Sequence, residues 1–337
     1  MTFFPAEWHR QSVVQLTFPH EKTDWKDMLD EVIPCYVEIA AVISQYQKLL
    51  IVCQNIDEVK KYLSHINISN IIFRQIPSND TWARDHGAIS VFENGIPTIY
   101  DFAFNGWGGK FEASLDNEIT KKLYDQQTFL PTVKYRDKLN FVLEGGSIES
   151  DGRGAILTTS KCLLSKNRNK KTKKKIEQYL LDTFAVKRIL WLNHGYLSGD
   201  DTDSHIDTLA RFCDENTIAF VECNDEADEH FEELNKMKHE LTLFKTLEGK
   251  PYRLIALPMA DFVEENGERL PATYANFLIM NEIVLMPFYN SPKDNLAKLQ
   301  LEKAFPSRKV IGINCLPLVK QHGSLHCITM QYPENFV

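Results

Sequence analysis

The chain has no CxxC pair, and its seven cysteines are scattered from Cys35 to Cys327. That arrangement fits neither a thiolate zinc site nor a disulfide framework, so most of these thiols are expected to pack in the interior. There is no apolar run of 18 residues, which removes the membrane-spanning helix. Met1 to Gln15 includes Glu7, Trp8, His9 and Arg10 and so lacks the apolar segment of a secretory signal; the cytosol is the expected compartment. Positive charge is also short: the formal net charge is −8, which argues against a nucleic-acid binder and suits a small cationic partner. No low-complexity linker divides the 337 residues. One basic cluster, Lys166 to Lys175, reads as a solvated loop and helix start.

What is present is an alternation of strands and helices with a recurring plan, an α/β pattern. Ala88 to Phe92 and Thr98 to Phe104 flank Asn94 and Gly95, a pair suited to a tight hairpin turn. A helix (Leu115 to Gln127) and a strand near Asn140 follow. The plan returns from Ser147 to Leu192, with its helix over Thr172 to Phe184, and from Leu209 to Pro258, with its helix over Ala227 to Phe244. A fourth pass runs from Ala272 to Ile313. The last strand, Cys327 to Gln331, has no helix after it, and the strand Val13 to Phe18 with the helix Asp24 to Gln47 can complete it. The expectation is a closed ring of five hairpin, helix, strand units in one domain spanning residues 1–337.

Four chemically suggestive side chains stand at the same point of this cycle. Asp85 to Glu144 is 59 residues, Glu144 to His205 is 61, and His205 to Cys327 is 122, or two cycles. If each unit presents its leading loop to one axis, the four converge, and the unit between His205 and Cys327 should contribute near Arg269 to Thr273.

A cysteine nucleophile needs a base and a means of forming thiolate. His205 is the natural partner, since His326 should point to the opposite face of an extended strand. Glu144 could orient the imidazole. Asp207, on the face of His205 if that segment is extended, and Asp85 add two carboxylates. They suit a planar cation with several N–H donors, a guanidinium, better than an acyl group. Trp82 and Trp107 lie in polar or glycine-rich loops and could wall such a substrate. Asp200, Asp201, Asp203, His205 and Asp207 offer a metal alternative. It lacks a second histidine at ligand spacing and leaves Cys327 without a task.

The runs NDTWARDHGAISV, LEGGSIESDGRGAILTT, GDDTDSHIDTLARF and GSLHCIT resemble, in order and spacing, the agmatine deiminases of the peptidylarginine deiminase-like branch of guanidino-group-modifying enzymes. The resemblance covers about Glu7 to Pro333. It implies a pentein, a fivefold pseudosymmetric α/β propeller, acting as a hydrolase without metal or organic cofactor. It also implies roles: Cys327 as nucleophile, His205 as general acid and base, Glu144 as its carboxylate partner, Asp85 and Asp207 as the guanidinium-binding pair, and Trp82 as a substrate-lining residue. Homo-oligomers are implied by resemblance only. Three positions depart from the family pattern: Ala88 replaces a proline, Ser204 a glycine, and the glycine run before the cysteine is thinned to Gly323 and Ser324. Agmatine, free arginine and peptidyl-arginine all remain open as substrates, and so does a non-catalytic cation-binding protein.

Overall fold

The computed structural model describes all 337 residues, Met1–Val337. Five of its sheets share one plan, in which an antiparallel hairpin is joined through a helix to a third strand lying parallel to the hairpin's second strand. In the first, Ile89–Glu93 pairs with Ile96–Ala103, which pairs with Lys134–Val142. The second uses Ile148–Ser150, Ala155–Thr159 and Arg188–Leu192. The third uses Ala210–Asp214, Thr217–Glu222 and Arg253–Pro258. In the fourth, Leu278–Ile279 pairs with Ile283–Phe288 and then Lys309–Asn314. The fifth joins the two ends of the chain: Thr329–Pro333 lies antiparallel to Gln11–Thr17, which runs parallel to Lys48–Cys53. Its strand bonds therefore link residues that are far apart in sequence, as the repeat plan requires.

Local chemistry explains the elements. Asn94 (φ 52°) and Gly95 (φ 80°) take the two left-handed conformations that a two-residue hairpin turn demands. The Asp151 carboxylate accepts from the N–H groups of Arg153, Gly154 and Ala155 and so folds the second turn around itself. The expected helix from Ala227 begins only at Phe231. Asp228 caps the His230 N–H and pairs with Arg269, which holds the preceding residues in turns. The helix expected from Asp24 likewise starts at Leu29, after a 3₁₀ turn at Lys26–Met28.

One apolar cluster of 69 buried residues takes members from all five sheets or their leading loops, and it includes Trp82 and Cys327. No helix is long and apolar enough to cross a membrane.

Candidate active site

Each predicted side chain sits on a short turn just before a hairpin. Asp85 is within the single helical turn Ala83–His86. Glu144 immediately precedes the 3₁₀ turn Gly145–Ser147, and His205 precedes the 3₁₀ turn Ile206–Thr208. Cys327 lies in the turn before Thr329–Pro333, so it is not the first residue of a strand as expected. These turns touch in succession, and the Arg84 N–H donates to the Cys327 carbonyl at 3.1 Å. Leu325 and Ile328, both fully buried, anchor the cysteine turn, each contributing about 1.5–3 kcal/mol of apolar burial.

The convergence is tight. A Cβ placed on Gly146 would lie 2.7 Å from His205 Nδ1, 2.9 Å from Asp85 Oδ1 and 3.1 Å from Asp207 Oδ2, so these three groups meet over a bare backbone. His205 Nδ1 stands 3.6 Å from Asp85 Oδ1. Asp85 also accepts from the Gly146 N–H and from Trp107 Nε1, each at 3.0 Å. The Cys327 Sγ lies 3.4 Å from Asn276 Oδ1. Cys327, Asp85, Trp82 and Trp107 line a cavity of about 180 Å³, with Asp24, Asp80, Asp200 and Asp201 among its other walls. Five aspartates line it, and no lysine or arginine does.

Burial, followed by the charges of Asp207 and Asp85, pushes the Cys327 thiol well above its ordinary range, so the resting sulfur is protonated. Burial opposes the charged form of His205, but Asp85, Cys162 and Glu144 outweigh it and raise the imidazole to about 10. Burial lifts Asp85 to about 6 against the pull of His205. Asp207 is held low despite burial, chiefly by its hydrogen bond to His326.

Several sequence expectations need correction. Asp207 and His205 do come together, but through a 3₁₀ turn rather than an extended segment. Glu144 is bound by Arg168 Nε at 2.8 Å, and the carboxylate in ion-pair range of His205 is Asp85. Glu144 remains close, since the ligating atoms of Glu144, Cys162 and His205 all lie within 4.8 Å of one another. Cys162, expected to be simple packing, is thus a neighbour of the imidazole. His326 does turn away from the sulfur, and it bridges Asp207 Oδ2 and Glu7 Oε2 at 2.7 Å each. The fourth unit contributes Asn276 rather than Arg269 to Thr273. Arg269 pairs with Asp228, and Thr273 Oγ1 donates to the Thr208 carbonyl.

Within the basic cluster, Arg168 is buried, its guanidinium reaching Glu144 and Asp203. Only its flanking Asn-Arg-Asn, in place of a uniform lysine run, could have hinted at that. Three of the four candidate metal carboxylates are engaged elsewhere. Asp200 caps the Thr202 and Ser204 N–H groups, Asp203 pairs with Arg168 and Lys110, and Asp207 is bound by His326.

Residues 3–333 match the profile of the Porphyromonas-type peptidyl-arginine deiminase family. A Legionella pneumophila protein provisionally named an agmatine deiminase is 32% identical, over 99% of this chain and 95% of its own length. A crystal structure from Porphyromonas gingivalis, provisionally named an arginine deiminase, is 50% identical with a TM-score of 0.97 and full coverage of both chains. The agmatine deiminase of C. jejuni, solved as a cysteine-to-serine variant with substrate bound, is 40% identical with a TM-score of 0.91, over 98% of this chain and 96% of its own.

Proposed function

The chain belongs to the Porphyromonas-type peptidyl-arginine deiminase family, and we propose that it hydrolyses agmatine to N-carbamoylputrescine and ammonia. It is a hydrolase of C–N bonds in linear amidines, as its agmatine deiminase relatives are named. The observation that carries the choice of substrate is the cavity wall. Five aspartates and no lysine or arginine surround the approach to Cys327. Agmatine is cationic at both ends, and this wall attracts both. Free arginine would bring its α-carboxylate against Asp24, Asp80, Asp200 or Asp201, a like-charge contact that opposes binding.

In the mechanism we favour, the guanidinium docks on Asp85 and Asp207 beside Trp82. Its positive charge offsets the two carboxylates that hold the Cys327 proton, and that proton passes to solvent in the cavity. The thiolate attacks the central guanidinium carbon. His205, protonated in the resting site, gives its proton to the departing nitrogen, and ammonia leaves a cationic S-alkylthiouronium on Cys327. Neutral His205, steadied by Asp85 and Glu144, then takes a proton from water as the oxygen adds to the same carbon. The thiolate departs, and the adduct sheds one proton to become the neutral ureido product. A guanidinium and water have become a urea and ammonium.

The five equivalent sheets support reading the molecule as a pentein, an α/β propeller of five units. The shared 69-residue core supports a single catalytic domain over 1–337. The deciding experiment measures ammonia release from agmatine, arginine and a blocked arginine peptide, with Cys327→Ser as control. Agmatine should be turned over at least tenfold more efficiently than the other two. Preference for either arginine substrate would overturn the assignment, and full activity in Cys327→Ser would overturn the covalent route.

A further inference from the structure

We infer that Asn276 is the positioning residue of the nucleophile: its carboxamide aims the Cys327 sulfur and ties it to the carboxylate of Asp207. The inference rests on Cys327 being the nucleophile. Asn276 is fully buried, and both ends of its amide are engaged. Oδ1 accepts from the His326 N–H at 2.8 Å, from the Cys327 N–H at 3.3 Å and from the Cys327 thiol at 3.4 Å. Nδ2 donates to the carbonyl and to Oδ2 of Asp207, both at 3.4 Å.

The chemistry of these neighbours fixes which way the amide points. Two backbone N–H groups can only donate, so Oδ1 must face them; Asp207 offers only acceptors, so Nδ2 must face it. A flip would set donor against donor and acceptor against acceptor. The atom opposite the sulfur is therefore a carbonyl oxygen, which welcomes S–H and repels a thiolate. Asp85 and Asp207 also disfavour a thiolate, the His205 imidazolium is held by Asp85, and the buried Tyr36 is a neutral phenol. The other acids of the cavity wall and His322 surround the entrance. The sulfur thus rests as an aimed thiol that a docking cation arms.

The test follows iodoacetamide alkylation of Cys327 against pH by peptide mass, alongside kcat and KM for agmatine, in Asn276→Ala, Asn276→Asp and Cys327→Ser. Asn276→Ala removes the acceptor opposite the sulfur. Its alkylation profile should move about one pH unit lower, so that Cys327 reacts about tenfold faster at neutral pH. Its kcat should fall about 100-fold because the sulfur is no longer aimed, with KM changed less than kcat. Asn276→Asp keeps the acceptor and the shape, adds a charge and loses the donor to Asp207, so its profile should move upward. An Asn276→Ala protein with the parent alkylation profile and kcat within threefold overturns the inference. If Asn276→Ala does not fold, a downward or absent shift in the isosteric Asp variant overturns it. Activity surviving in Cys327→Ser would instead overturn the nucleophile on which it rests.

Discussion

Arg168 donates through Nε to Glu144 Oε1 at 2.8 Å and through Nη1 to Asp203 Oδ2 at 2.6 Å, so one buried guanidinium joins the centre of the site to the loop at its rim. Its Nη2 also donates to the Thr202 carbonyl. Removing one partner of such a pair strands a charge in the interior, which costs about 3–5 kcal/mol. Arg168→Met is therefore expected to lose that much stability in chemical denaturation. Arg168→Lys, unable to reach three acceptors at once, should fall between the two. A loss below about 1 kcal/mol in Arg168→Met would show that Glu144 does not depend on this ion pair.

Gly146 leaves room for three reactive groups. In Gly146→Ala the new methyl would meet His205, Asp85 and Asp207 at 2.7 to 3.1 Å, and one of them must shift. Misplacement of this order is expected to lower kcat about 100-fold. Steady-state kinetics beside a thermal melt would separate this from unfolding. Near-normal kcat in a folded variant would contradict the convergence described above.

The pH dependence has a definite sign. Burial raises Asp85 to about 6, and Asp80, half-buried and facing Asp24, also lies at about 6. Both are neutral acids below that value in the free enzyme and cannot then pair with a cation. The ratio kcat/KM for agmatine should fall as pH drops through about 6, by tenfold or more per unit, chiefly through KM. A flat profile between pH 5 and 7.5 would remove these carboxylates from substrate binding.

Ser204 stands where the family pattern has glycine, and its φ of 65° lies in the left-handed region, next to Asp203 at 64°. The contacts that hold it are made by its backbone, to Asp200 and Thr159, while its hydroxyl is buried without a partner. Ser204→Gly should keep those contacts and relieve about 1 kcal/mol of backbone strain. The expected result is a higher Tm with unchanged turnover, and a lower Tm would contradict it.

The cycle of units and the convergence of Asp85, Glu144, His205, Asp207 and Cys327 were legible in sequence because loop-to-strand junctions recur at a near-constant interval. What escaped was everything decided by angle. Alternating patterns cannot distinguish an extended dipeptide from one 3₁₀ turn, so the route by which Asp207 reaches His205 is visible only in the fold. Asn276 carries no charge and sits in an apolar stretch between Tyr274 and Phe277, where residue type says nothing of function. Arg168 was hidden among lysines that share its sign and differ only in burial. Each was a question of which neighbour a side chain meets, and such meetings depend on units far apart in the chain.

The fifth sheet also has a history in time. Tyr332 donates to Gln15 across 317 positions of sequence, on strands paired antiparallel. At roughly 5–20 residues per second of synthesis, the opening strand leaves the ribosome on the order of tens of seconds before the partner that seals its edge. The same closing segment carries Cys327. A nascent chain that stops short of this segment would therefore lack both the strand that seals the sheet and the thiol of Cys327.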